Sequence, residues 1–339
     1  MKIFSTEQIS KYHPDKYADQ ISDAILTEYL KGDPSSHCGI ETMVKNDIVI
    51  LGGEVKSKAI VNHALIVKRV AEKLGYYVDD VLDFIGKQSE EINSAVIADE
   101  NIGAGDQGLM FGYATDETES YLPLGFDMAN KIIKVIEEDV ETNPNSILKG
   151  DAKTQVTIDT DTNRIYTILI SVCHKAEFTL TQVRDYIKDL IGAKVSPSLV
   201  PLLLINPAGA WTKGGPESDC GLTGRKIVCD QYGGYCAVGG GAFSGKDPSK
   251  VDRSASYMAR KIAVDMVKKY GGTCSVQLAY AIGVAQPVSV SVVSSVAGIL
   301  SDEVINSYDL TPKGIIKALD LLNRDYEKIA EGCHYREEL

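Results

Sequence analysis

One pattern recurs three times along this chain and limits its architecture more than any other feature: two strand-like segments joined by a turn, with long helical stretches nearby. The first pair covers Gly39–Val44 and Ile48–Val55, turning at Lys45-Asn46-Asp47. The second covers Thr154–Asp159 and Arg164–Cys173, and the third Ser275–Val284 and Val288–Val296, with Gln286-Pro287 between. Val288, Val290 and Val292 alternate with polar or small residues, as a half-buried strand does. Helical spacing predicts helices near 14–31, 57–75, 122–141, 179–192, 248–269 and 312–325. A chain of 339 residues is too long for one compact core. The expectation is an α+β fold of three similar units, each of roughly 100 residues.

Hydrophobic residues make up 44% of the chain and charged residues 24%. No apolar run approaches the roughly 20 residues that cross a bilayer, and the N-terminus shows no signal-peptide pattern. A formal net charge of −12 argues against non-specific nucleic-acid binding and against anionic membranes. The seven cysteines are scattered, with no C-x-x-C pair and no zinc spacing, so they read as reduced thiols of a cytoplasmic protein.

Against that acidic background, Gly239–Arg253 concentrates basic groups. A glycine-rich loop runs into an expected helix start, with Asp247 as N-cap and Pro248 in the first helical position. Val251, Ala255, Met258, Ile262 and Met266 continue at helical spacing to about Tyr270. Free N–H groups and the dipole at such a start favour an anion, and Lys246 and Lys250 can converge on a polyphosphate. Asp252 beside phosphates calls for a divalent cation between them, because bare carboxylate and phosphate repel. A glycine turn before an ordinary amphipathic helix is the plainer alternative.

Other segments repeat this chemistry. His13-Pro14-Asp15-Lys16 opens a second helix: His13 can donate to an oxygen gaining charge, while Asp15 and Lys16 lie where metal and phosphates would bind. The shared Pro-x-Lys of the two starts hints at internal duplication. Asp219–Lys226 joins an acid, two glycines, Arg225 and Lys226, and Asp151-Ala152-Lys153 opens a strand with another acid–base pair. Gly103–Ala114 holds glycines for the close approach of either a ligand or another element. Glu41 and Glu54, on neighbouring strands, are either ligands for a cation or ammonium group or members of a solvated face. Trp211, the sole tryptophan, is either a stacking partner for a nucleobase or a core filler.

Taken in order from His13 to about Tyr335, these segments resemble the S-adenosylmethionine synthetase (methionine adenosyltransferase) family. Gly103–Ala114 and Gly239–Arg253 are the most specific matches. The resemblance implies domains at 1–100, 101–213 and 214–339 around a pseudo-threefold axis, and a homodimer with active sites at the interface, extending to a homotetramer. It implies formation of S-adenosylmethionine from ATP, L-methionine and water, the sulfur attacking C5′ and expelling triphosphate, which is then hydrolysed. Two Mg²⁺ ions per site and K⁺ are the implied cofactors.

Carried over by matching motifs, the catalytic set is His13, Lys153, Arg225, Lys246 and Lys250. ATP would meet His13, Lys16, Asp151, Lys153, Ala210, Trp211, Asp219, Arg225, Lys226, Ala242 and Lys246. Methionine would meet Glu54, Gln88, Asp219 and Lys250. Asp15 and Asp252 would hold magnesium and Glu41 potassium. The chain departs from the family pattern at Ala210, at Glu90-Glu91 and at Gln286, and it lacks the usual aromatic C-terminal extension. Two competing readings are a magnesium-dependent tripolyphosphatase uncoupled from methionine and a silent nucleotide-binding homologue.

Overall fold

The computed structural model describes residues 2–87, 103–192 and 201–336. Its strands in chain order are β1 (Ile3–Ile9), β2 (His37–Lys45), β3 (Ile48–Lys56), β4 (Asp80–Asp83), β5 (Gly86–Lys87), β6 (Gly108–Thr115), β7 (Leu148–Asp159), β8 (Arg164–His174), β9 (Leu202–Ile205), β10 (Gly221–Leu222), β11 (Thr273–Tyr280), β12 (Ser289–Ser294) and β13 (Gly298–Ile299). The long helices are α1 (Pro14–Gly32), α2 (His63–Lys73), α3 (Leu124–Thr142), α4 (Leu180–Gly192) and α5 (Val251–Tyr270).

All three hairpins form. β2–β3, β7–β8 and β11–β12 are antiparallel, and each is the centre of its own sheet. The third pair is shorter than its apolar run, because β11 stops at Tyr280 and β12 begins only at Ser289.

The edge strands are exchanged in a cycle. β1 pairs with β7, β6 pairs with β11, and β10 pairs with β2, so each sheet recruits a strand from a different third of the chain. Each sheet is covered on one face by one long helix: α1 on β2, α3 on β7 and β1, α5 on β6 and β11. The apolar stripe expected along α5 is the buried one, since Val251, Ala255, Met258, Ile262 and Met266 all lie in the core. Gly112 lets β6 approach that helix; a Cβ there would lie 2.0 Å from the Ala259 carbonyl oxygen.

The opposite faces of the first and third sheets are open and carry apolar side chains. Met43, Ile50 and Leu82 share one register position across β2, β3 and β4, and Tyr113, Val293 and Ile299 do so in the third sheet. Phe84 beside the first face is 69% exposed and Ile299 on the third 81%.

Three expected helix ends move: α2, expected from 57, begins at His63 with Asn62 as its N-cap. α5 begins at Val251 with Lys250 as N-cap, so Pro248 lies before the helix and its likeness to Pro14, the true first residue of α1, is not one of position. The Asp247 carboxylate is engaged elsewhere, accepting from Cys38 N at 2.8 Å and from Ser249 N at 2.9 Å. The helix expected over 312–325 covers only Pro312–Ala318; Asp320 at φ 49° is left-handed and ends it, and a short helix follows at Tyr326–Ile329.

Candidate active site

His13 is the N-cap of α1, and its Nδ1 accepts from Asp15 N at 3.1 Å. Burial, joined by the positive charges of Lys153 and Lys226, lowers its pKa to about 3, against the partial opposition of Asp15 and Asp219. The ring is therefore neutral near pH 7. With Nδ1 occupied as an acceptor, its proton sits on Nε2 and is available for donation.

Asp15 ties the helix start to the turn after β10. Its Oδ1 accepts from Leu222 N at 2.9 Å, its Oδ2 receives the Lys226 ammonium, and Arg225 Nε stands 4.0 Å from Oδ1. Burial opposes its ionisation, but the bonds from Lys226 and Leu222 outweigh it and hold the carboxyl below its ordinary range. Lys153 lies exposed on β7, opposite Ile9. Asp151, two residues earlier, is buried; its Oδ2 accepts from Gly215 N at 2.7 Å while Oδ1 has no partner. Burial pushes its pKa up to about 6. An orphaned buried acceptor of this kind suits a ligand donor.

Lys16, expected among the phosphate ligands, points the other way. It is fully buried, with Nζ 2.7 Å from Asp230 Oδ1 and 3.2 Å from Asp19 Oδ2. A residue 214 positions away thus decides its role, which is to neutralise buried carboxylates.

Trp211 is half-buried and takes no part in either hydrophobic core. Its indole N–H donates to Lys213 O and its backbone exchanges bonds with His174, leaving a ring held at a surface beside the exposed Ala210. That placement favours stacking over filling a core. Asp219 is exposed, and its charge reaches both His13 and Asp151.

A second group gathers on the glycine-rich loop. Lys246 forms an ion pair with Asp252, and a Cβ on Gly241 would lie 2.2 Å from the Asp252 carboxyl carbon. Gly108 approaches the same carboxylate, and Gly105 the Lys250 side chain at 3.8 Å. Of the two purposes weighed for Gly103–Ala114, close approach of another element is met at Gly112, which crosses α5, while Gly105 and Gly108 lie against the Lys250 and Asp252 side chains. Lys246 makes a backbone bridge to Gly39 within β2, and Ala242 abuts Gly224 of the first group. Glu41, opposite Gly52, and Glu54, opposite Gly39, lie on the open face of the same sheet. Gln88 and Glu90-Glu91 fall outside the described residues.

Each group satisfies its main ion pair internally, Asp15 with Lys226 and Asp252 with Lys246. Among the described residues no three histidines, cysteines or carboxylates cluster around a point. What is present suits Mg²⁺, which is commonly held by one or two carboxylates plus substrate phosphates. Gly241 and Gly108 pack so closely on Asp252 that a Cβ on either would collide with or crowd its carboxylate, while Lys246 occupies its Oδ2.

Inspection of motifs passed over Asp19, Asp23 and Arg253. Asp19 and Asp23 accept from Gly224 N and Gly245 N, each at 2.8 Å, and Arg253 donates to Asp23 at 2.7 and 2.8 Å. The available signal was the i, i+4, i+8 spacing of Asp15, Asp19 and Asp23 on one helix face.

Comparison with known proteins agrees along the whole chain. The N-terminal, central and C-terminal domains of S-adenosylmethionine synthetase match residues 1–98, 101–211 and 213–339. An S-adenosylmethionine synthase of Mycoplasmopsis synoviae is 44% identical, the match covering 99% of this chain and 93% of the relative. One of Nitratiruptor is 42% identical with the same coverage. A solved structure described as an unusual S-adenosylmethionine synthetase from Campylobacter jejuni superposes with a TM-score of 0.89 at 34% identity, covering 100% of this chain and 95% of that one. The chain belongs to the S-adenosylmethionine synthetase family of enzymes.

Proposed function

We propose that this member of the S-adenosylmethionine synthetase family joins ATP and L-methionine in one displacement at C5′. The sulfur–carbon bond forms as the carbon–oxygen bond breaks, and triphosphate leaves with the electron pair. Water then divides the triphosphate into diphosphate and phosphate. An intact triphosphate carries about four negative charges, so electrostatic stabilisation of the leaving group is the main demand on the protein.

The observation that carries this reading is the bond from Asp15 N to His13 Nδ1, which leaves the ring proton to Nε2. A neutral ring with its proton on Nε2 is a hydrogen-bond donor for the departing oxygen, and it does not need to lose that proton. Lys153, Arg225 and Lys226 from one group and Lys246 from the other supply the positive field, Ala242 lines the nucleotide site, and Trp211 beside Ala210 offers adenine a ring face. Asp151 Oδ1 offers the nucleotide an acceptor. Glu54, Gln88, Asp219 and Lys250 are assigned to methionine, with the carboxylates suited to its ammonium group.

Asp15 and Asp252 would hold magnesium and Glu41 potassium. When bound, these cations neutralise charge developing on the phosphates. For Asp15 and Asp252 this means giving up a lysine partner to the substrate, which then binds the lysine as well.

The working unit is a homodimer with active sites at the subunit interface. Glu41 and Glu54 sit on an open sheet face that also carries exposed Met43 and Leu82, and a second copy would cover that apolar surface. No helix among the described residues is long and apolar enough to cross a membrane.

The test is product formation followed by mass spectrometry, with ATP and methionine, with and without Mg²⁺ and K⁺. S-adenosylmethionine that requires both substrates and magnesium is the expected result. Phosphate release without that product would replace the reading with a triphosphate hydrolase.

A further inference from the structure

The two cationic loops are attached to α1 by a regular device. Asp15, Asp19 and Asp23 lie one helical turn apart, a rise of about 6 Å per step. Each accepts a backbone N–H through Oδ1: Asp15 from Leu222 at 2.9 Å, Asp19 from Gly224 at 2.8 Å and Asp23 from Gly245 at 2.8 Å. Gly224 and Gly245 have φ of 76° and 81°, and the residues that follow them are Arg225 and Lys246. Both glycines are sterically required as well. A Cβ on Gly245 would lie 1.8 Å from the Ile40 carbonyl oxygen, and one on Gly224 would lie 2.4 Å from the Ala242 Cβ.

We propose that Asp19 and Asp23 are positioning residues, using α1 as a ruler that sets the spacing and exit direction of Arg225 and Lys246. The inference rests on the reading of those two cations as polyphosphate ligands. Asp19 and Asp23 are buried and touch no substrate position themselves; their charges are answered inside the protein by Lys16 and Arg253. What they control is where a left-handed glycine stands, and so where the next side chain starts. Loops at a catalytic site need such support, because a displacement of about 1 Å far from the chemistry can cost two orders of magnitude in rate.

The rung at Asp19 gives the cleaner experiment. Lys16 is one ammonium between two buried carboxylates, Asp19 and Asp230, so a neutral Asp19→Asn side chain leaves one cation facing one anion. Its amide oxygen still accepts from Gly224 N, while its NH2 takes the place of the oxygen facing Lys16, which keeps Asp230 as its acceptor. Asp19→Ala removes that acceptor, and Gly224→Ala keeps Asp19 while expelling the left-handed backbone. The readouts are the Kd of inorganic tripolyphosphate by calorimetry and the separate KM values for ATP and methionine, with folding checked by circular dichroism.

Asp19→Ala and Gly224→Ala should each weaken tripolyphosphate by roughly tenfold and raise KM for ATP alike, while KM for methionine stays within about twofold. Asp19→Asn should restore tripolyphosphate binding to within about threefold of the unmodified enzyme. If Asp19→Ala does not fold, Gly224→Ala against Asp19→Asn decides the matter. Unchanged tripolyphosphate affinity in folded Gly224→Ala would overturn the ruler while leaving the polyphosphate site in place. Failure of the unmodified enzyme to bind tripolyphosphate would instead overturn the polyphosphate reading, and the ruler with it.

Discussion

The Asp15 N–H donates to His13 Nδ1 at 3.1 Å, and this single bond fixes which nitrogen of the imidazole carries its proton. With the pKa lowered from 6.5 to about 3, chiefly by burial, the ring does not titrate in the working range. The activity profile from pH 6 to 9 should therefore contain no limb that His13→Asn removes. Asn keeps a cap acceptor but has no donor at the Nε2 position, so turnover should fall by about 10²- to 10³-fold, with stability changing by about 1 kcal/mol or less. The sign of the pH effect on folding follows from the same shift. Between pH 6.5 and 3 the unfolded chain binds the extra proton, so His13's stabilising contribution, whole above 6.5, is lost on acidification through that window. Urea titrations of both proteins would show it, the variant having the shallower acid limb.

Glu137 should give the opposite slope. It is buried on α3, its Oε1 accepts from Lys11 N at 2.6 Å, and burial raises its pKa from 4.5 to about 7. The folded state holds a proton that the unfolded state has released, so this stabilising contribution is complete below pH 4.5 and lost as pH rises through 7. Glu137→Gln keeps the acceptor and removes the titration. It should match the unmodified protein at pH 4.5 and exceed it in unfolding free energy at pH 8; equal stability at both would count against burial as the cause.

Gly112→Ala tests the crossing of β6 over α5. A methyl group there meets the Ala259 carbonyl oxygen at 2.0 Å, and backbone on both sides prevents local relief. The loss should be about 3 kcal/mol, at the upper end of overpacking costs, measurable as a lower urea midpoint. A midpoint unchanged from that of the unmodified protein would mean that strand and helix can separate at little cost.

Local pattern reached the hairpins and the long helices because each is specified by neighbours in sequence: β2–β3 turns at Asn46, and α1 starts at Pro14 under a His13 cap. It could not reach the exchange of edge strands. β1 finds β7, and β10 finds β2, through pairings of residues well over 100 positions apart, and a two-residue strand such as Gly221–Leu222 has no periodicity to detect. The start of α5 failed for a related reason. Asp247-Pro248 has the local form of a cap, but the carboxylate spans Ser249 N and Cys38 N of β2, and the helix starts three residues after Pro248, at Val251. The candidate site was legible as a set of residue types and invisible as a geometry. Lys16 and Lys246 look alike in sequence, each a lysine close to an aspartate; Asp230 holds the first in the core, whereas the second stays partly exposed in its pair with Asp252. Asp19 and Asp23 were readable only as a spacing, and spacing acquires a meaning once the loops that dock on it are known.

Asp252→Asn separates two roles that one carboxylate can have. In the structure it is the partner of Lys246, an ion pair with side-chain exposures of 26% and 17%, whose loss should cost little stability because water already screens it. If that pair were its whole purpose, Asn would be nearly silent. The proposed reaction argues otherwise: a carboxylate beside substrate phosphates calls for a divalent cation between them, and Gly241 and Gly108 fix Asp252 there by packing against it. An amide keeps the volume and loses the charge, so the magnesium concentration for half-maximal activity should rise by roughly tenfold or more. Activity should recover at saturating metal, and the melting temperature should stay within about 2 °C. A magnesium titration coincident with that of the unmodified enzyme would reduce Asp252 to a counter-charge for Lys246 and leave Asp15 as the metal ligand of this chain.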